Sequence, residues 1–238
     1  MNIEIIRSRQ RYQISGDENS SYTFSFGSYF NPRLMGFGIL KTFNIRTLNP
    51  GAQTYYRNKS NTEILTLMLK GSLQHEDDAY KETELPAGSI QNLSTGRGIQ
   101  FRDSILSDLS PAVFLEIWLL PSERFTLPAY DQKPMAQGEY PNQLVPIASR
   151  EGGDFAVKIN QDATIYRCLL EENQKLEYLP GEKEGRGLFF FLISGMVFVG
   201  GQTLHPQDSA MITQAESLQI ASYKEADFLL LDIPMKNW

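Results

Sequence analysis

The stretch Glu63-Ile64-Leu65-Thr66-Leu67-Met68-Leu69-Lys70-Gly71-Ser72-Leu73, followed by Leu85-Pro86-Ala87-Gly88-Ser89, decides the fold. An apolar run ends at a glycine, an alternating run follows, and a tight Gly-Ser corner closes the unit. The second half repeats the plan: Leu188-Phe189-Phe190-Phe191-Leu192-Ile193-Ser194-Gly195-Met196-Val197, then Leu204-His205-Pro206-Gln207-Asp208. A glycine between two strand-like runs suits a bend that needs an unusual φ or a close backbone approach. Two copies of one β unit predict two similar β-barrels in tandem.

On both sides of these units strand signals recur, and helical periodicity is nearly absent. Runs at 41–48, 113–120, 164–170, 209–213, 217–221 and 227–233 are short, rich in β-branched and aromatic residues, and punctuated by Gly, Pro and Asn. This is the pattern of sandwiches and barrels. Five prolines, Pro121, Pro128, Pro134, Pro141 and Pro146, mark the middle of the chain. Proline breaks helices and interior strands, so residues 121–146 read as an extended linker. The expected division is an N-terminal domain of residues 1–135 and a C-terminal domain of residues 136–238.

Composition sets the outer bounds. A chain of 238 residues, 41% hydrophobic and 21% charged, can bury two modest cores. Its formal net charge of −6 argues against direct nucleic-acid binding, which needs a basic face. No apolar run reaches the roughly 20 residues of a membrane helix, and the first residues alternate and carry an early acid, unlike a signal peptide. The single cysteine, Cys168, cannot form an intrachain disulfide, and a cytoplasmic location is expected.

Three further segments sharpen the assignment. They are Tyr22-Thr23-Phe24-Ser25-Phe26-Gly27-Ser28-Tyr29-Phe30-Asn31-Pro32, the run from Glu63 through Asp77 with Pro86 to Ile99, and Glu116-Ile117-Trp118-Leu119-Leu120-Pro121. In this order, over residues 22 to 121, they resemble the pirin family; the second half resembles a generic cupin. The resemblance implies an all-β bicupin of jelly-roll type whose chain ends cross over, each adding strands to the opposite barrel. It also implies a first barrel that in the family binds iron or another divalent metal through three histidines and one glutamate. Some members oxidise quercetin, and some act as nuclear cofactors.

Counting back from Glu63 and forward from Gly98-Ile99 carries those four ligand positions onto Arg57, Lys59, Phe101 and Asp103. Only Asp103 has ligand chemistry, because arginine and lysine bring positive charge where a metal needs neutral imidazole or an anion. No cofactor is therefore expected. The pairs Arg57/Lys59 and Phe101/Asp103 each project to one face if extended. Asp103 then pairs with a cation while Phe101 fills volume, or else the two cations sit on an exposed loop and pair with nothing. In a third reading the surplus positive charge holds a small anion.

The two histidines, His75 and His205, read as structural or surface residues. Cys168, within a strand pattern, reads as a buried small apolar residue. Trp118 and Phe189 to Phe191 read as core or interdomain material. Two functions follow: a non-catalytic bicupin acting through an unidentified small molecule or protein partner, or a metal-dependent oxidoreductase of the quercetin 2,3-dioxygenase type.

Overall fold

The computed structural model describes residues 1–16, 18–79, 82–105, 110–136, 138–181 and 185–236. Among them one 3-10 turn, Ser8–Gln10, is the only helical element, and all else regular is strand. The first half holds β1 (Asn2–Ile6), β2 (Tyr12–Ile14), β3 (Glu18–Tyr22), β4 (Leu40–Leu48), β5 (Arg57–Lys59) and β6 (Glu63–Lys70). Next come β7 (Ser72–Asp77), β8 (Thr83–Pro86), β9 (Ser89–Ser94), β10 (Ile99–Ile105), β11 (Ala112–Leu119) and β12 (Ala129–Pro134). The second half holds β13 (Val145–Ser149), β14 (Val157–Lys158), β15 (Thr164–Leu170), β16 (Lys175–Tyr178), β17 (Arg186–Val199), β18 (Gln202–Leu204), β19 (Ser209–Thr213) and β20 (Leu218–Pro234).

The strands pair into three sheets rather than closed barrels, an arrangement consistent with cupin jelly rolls. The first half supplies a seven-stranded sheet, β12-β9-β6-β11-β4-β3-β2, and a four-stranded sheet, β5-β10-β7-β8. The second half builds a nine-stranded sheet on the path β1-β19-β17-β20-β15-β13-β14, with β16 on β20 and β18 on β17. The amino end crosses over, because β1 pairs antiparallel with β19. The carboxyl end does not reciprocate. β20 stays in its own sheet, and beyond a hydrogen bond from Ile39 N to Pro234 O it adds no strand to the first half among the described residues.

Two readings of the sequence need correction. The proline-rich segment is not a free connector, since β12 lies within it and pairs with β9 from Ala129↔Ser94 to Pro134↔Ser89. Pro134 ends a strand at the sheet's edge, where its missing N–H costs no ladder bond. The apolar run from Leu188 and the alternating run after Gly195 are one strand, β17, bent by register shifts between Leu192 and Val197. Gly195, at φ +91°, makes the bend. A Cβ there would lie 2.1 Å from the Glu225 carbonyl oxygen. Its counterpart Gly71, at φ +75°, presses on the same feature of the first half, the backbone of Pro111 and Ala112.

Alternation along β17 joins the two halves. Phe189 and Phe191 enter an apolar cluster shared with Phe24, Phe43, Leu65 and Ile117 of the first half. Leu188, Phe190 and Leu192 face the other way, into the core of the second half. Each such buried side chain contributes about 1.5–3 kcal/mol. Arg11 fastens the seam: its guanidinium lies 5.1 Å from the Phe191 ring and donates to Thr23 Oγ1 and, at 2.6 Å, to Ser209 Oγ.

The contact geometry ranks the two glycines. Gly195→Ala should destabilise the protein by about 2–4 kcal/mol through combined φ strain and overpacking. Gly71→Ala, whose nearest contact would be 2.9 Å, should cost less. Urea denaturation of the two variants beside the parent measures both effects.

Candidate functional site

The interior of the first domain faces the four-stranded sheet. Along β11 the side chains of Phe114, Glu116 and Trp118 alternate inward, placing a carboxylate between two aromatic groups on a central strand. In the register, Glu116 lies opposite Asn44 of β4, and Phe114 lies opposite Arg46. Across the space, Asp103 of β10 is opposite His75 of β7, and Phe101 is opposite Arg57 of β5. Arg57 is thus a diagonal neighbour of Asp103, within reach of a long side chain.

These positions assemble an alternating chain of acids and bases. Glu18 accepts two hydrogen bonds from Arg46, at 2.7 and 2.6 Å. Arg46 also donates to Glu116 Oε1 at 2.8 Å, and the same oxygen accepts from Arg57 Nη1 at 2.6 Å. Arg57 Nη2 donates to Asp103 Oδ2 at 2.7 Å. The other Asp103 oxygen lies 2.9 Å from His75 Nδ1, and His75 Nε2 lies 3.1 Å from Asp77 Oδ2. Thr54 anchors the backbone of Asp103, its Oγ1 accepting from Asp103 N at 2.8 Å.

Burial makes this pairing obligatory. Arg46, Glu116, Asp103 and His75 are all buried, and a lone ion in such a place would cost several kcal/mol. Burial pushes the Asp103 carboxyl up, but the hydrogen bond from His75 and the charge of Arg57 outweigh it and hold the group below its ordinary 3.8. Burial likewise pushes His75 down, and its bonds to Asp103 and Asp77 reverse the direction, leaving it above its ordinary 6.5.

The remaining site residues take separate places. Lys59 turns away from Asp103 and sets its ammonium 4.6 Å from the Trp118 ring centroid. Phe101 is buried beneath Arg57, whose guanidinium stands 4.5 Å from the ring centroid. Both terminal nitrogens of Arg57 donate to carboxylates, while its Nε has no partner. Four groups around this ion-pair chain remain unsatisfied though buried: Arg57 Nε, Glu116 Oε2, Trp118 Nε1 and the Asn44 amide.

The four residues do not fit a metal. Asp103 is the single ligand type among them, and both its oxygens already face N–H groups of Arg57 and His75. Among the described residues no group of three or more His, Cys, Asp and Glu is disposed to hold a metal ion. His205 sits on an exposed turn, its backbone N donating to Asp208. Cys168 is buried, and burial pushes its thiol up to about 12, which leaves it unreactive.

Sequence reasoning missed Glu116, Arg46 and Glu18, and read His75 as a bystander. The available signal was an acid in the apolar run of β11 together with an arginine in the adjacent β4.

Two consequences can be measured. Arg57→Met leaves Asp103 to His75 and Glu116 Oε1 to Arg46, and should cost about 2–3 kcal/mol at neutral pH, below the full buried-pair value because Arg57 is partly exposed. That cost should fade in acid as pH falls through the depressed Asp103 value. His75 works in the opposite direction: its raised value means full stabilisation below 6.5, lost as pH rises through the folded-state value. The stability gap between the parent and His75→Gln should therefore narrow on the alkaline side, as followed by urea midpoints across pH.

Comparison with known proteins places the fold. The sequence profile described as Pirin matches residues 5–119, and that of the quercetinase C-terminal cupin domain matches residues 146–233. A quercetin 2,3-dioxygenase of Escherichia coli (strain K12) is 29% identical over 219 residues, covering 91% of each chain. A pirin-like protein of Caulobacter vibrioides is 27% identical over 214 residues, covering 90% of this chain and 91% of its own. Among solved structures, the bacterial pirin YhhW from Escherichia coli in complex with nickel(II) superposes with a TM-score of 0.92 at 26% identity, over 98% of this chain and 99% of its own. No helix among the described residues is long and apolar enough to cross a membrane. With the two profiles matching successive halves and the whole fold overlying a bacterial pirin, the chain belongs to the pirin family of double cupins.

Proposed function

We propose that this chain is a pirin-like bicupin that has given up the family's metal and works as a non-catalytic, small-molecule-binding or regulatory protein, in the cytoplasm. Arg57, Lys59, Phe101 and Asp103 stand at the positions of the family's metal ligands and form the inner wall of its pocket. The observation that carries this reading is the Arg57 guanidinium, held between Asp103 and Glu116 with a donor on each. A fixed positive charge there repels a metal cation and neutralises the carboxylates that would attract one. The unsatisfied Arg57 Nε, Glu116 Oε2 and Trp118 Nε1 supply donors and an acceptor for a small polar ligand.

A second reading rests on the relatives named quercetin 2,3-dioxygenase. On that reading the chain takes a metal by another set of ligands and oxidises a flavonol. Elemental analysis and oxygen uptake with quercetin separate the two. The expected result is no stoichiometric transition metal and no quercetin-dependent oxygen consumption. Close to one metal per chain, or consumption that survives removal of contaminating metal, would favour the enzyme.

The alignment itself is testable. Arg57→His, Lys59→His, Phe101→His and Asp103→Glu combined restore three imidazoles and one carboxylate on the paired strands β5 and β10. Nickel titration of the folded quadruple variant should show saturable binding that the parent lacks. A folded variant that binds nickel no better than the parent means the assigned positions are wrong.

A further inference from the structure

A cleft of about 610 Å³ lies between the two halves, lined by Glu63, Asn92 and Ser94 of the first sheet, Leu127 and Tyr130 of the segment around β12, and Asn160 of the second half, among others. None of Arg57, Lys59, Phe101 and Asp103 lines it.

Its floor is chemically unusual. Glu63 is 1% exposed, yet no cation stands within ion-pair distance of it among the described residues. Its carboxylate is held by neutral donors: Ser94 Oγ at 2.5 Å, Asn92 Nδ2 at 2.8 Å and the Asn160 backbone N at 3.1 Å. Asn92 is 3% exposed and also donates from Nδ2 to the Lys158 carbonyl at 2.9 Å. Both amide hydrogens are therefore engaged. The assignment of the amide is fixed by these two acceptors, and Oδ1 is left buried with no partner.

A buried acceptor without a donor, beside a buried carboxylate without a countercharge, is costly unless something supplies both. Acids outnumber bases around it: Glu123, Asp131 and Glu151 line the cleft beside Glu63, against Arg150 and Lys158. Apolar surface is present as well, from Leu127, Ile159 and the ring of Tyr130.

We propose that this cleft binds a small organic cation, a primary ammonium on an apolar body, with Asn92 Oδ1 accepting from the ammonium and Glu63 supplying the opposite charge. Tyr130 and Leu127 cover the apolar part. The site is independent of whether the first domain ever takes a metal.

Phenethylamine is the probe, with 2-phenylethanol and phenylacetate as neutral and anionic counterparts of the same shape. Titration is followed by the side-chain amide resonance of Asn92 and by calorimetry. Phenethylamine should bind saturably in the millimolar range or tighter, the alcohol at least tenfold more weakly, and phenylacetate not at all. Glu63→Gln keeps the shape of the floor without its charge, and should weaken phenethylamine binding at least tenfold. Ala129→Trp, at an exposed position of the lining opposite Ser94 in the strand register, should block the cleft and abolish binding. If Glu63→Gln fails to fold, the blocking variant still decides the matter. Equal binding of phenylacetate, unchanged binding in Ala129→Trp, or no saturable response to phenethylamine overturns the proposal. So does a response to calcium chloride alone, which would make the floor a metal site.

Discussion

A guanidinium between two buried carboxylates sets the terms for the first domain. Arg57 touches Asp103 on one strand and Glu116 on another, and so ties the four-stranded sheet to the seven-stranded one through charge. Remove it, and each acid keeps one partner, His75 or Arg46, too little to compensate a charge in that interior. Every other member of the chain of ions follows. Arg46 needs Glu18 on its outer side, and His75, raised above its ordinary value by its bonds to Asp103 and Asp77, is held between those two acids. The chain runs outward from the interior at the Glu18 end, where the side chain reaches solvent.

Such an arrangement is specific before it is stabilising. A buried ion pair returns little net energy over an apolar packing of the same volume, while losing one partner is expensive. Its presence therefore fixes which strands face one another and which rotamers are allowed. It also fixes what the cavity accepts. A metal would have to displace the Arg57 and His75 hydrogen bonds from Asp103 and then sit beside a permanent positive charge. The unsatisfied atoms nearby, Glu116 Oε2 and Trp118 Nε1 among them, show that the ions fill the space without exhausting its polar groups.

The sequence made the architecture legible because the duplicated unit is punctuated by glycines whose task is steric. Gly71 and Gly195 both sit at positive φ against a neighbouring backbone, and only glycine tolerates that. The pairing of Arg57 with Asp103 was accessible from i, i+2 projection on two strands. What escaped was non-local. Glu116 and Arg46 belong to strands that pair with each other 70 residues apart, and no spacing rule links them to residue 57. The proline-rich segment misled for a related reason. Proline forbids an interior strand but permits an edge, and whether β12 is an edge depends on β9, far away in the sequence. Composition had no way to reveal that, among the described residues, the amino end alone adds a strand to the other half's sheet.

The two buried acids of β6 and β11 are handled in opposite ways, although their strands are neighbours. Glu116 is neutralised internally by two arginines. Glu63 receives only neutral donors, and those donors come from both halves of the chain, since Asn160 belongs to the second. The first solution is complete as a charge balance and holds with no external cation. The second fixes geometry but leaves charge over, and it does so beside an open cleft rather than inside a packed core. Hydrogen bonds from neutral groups can order a carboxylate, yet they do not cancel its charge, and this carboxylate borders the cleft. The internal ion pairs of the first half thus balance the charge of one buried acid, while the seam between the halves leaves that of another without a countercharge among the described residues.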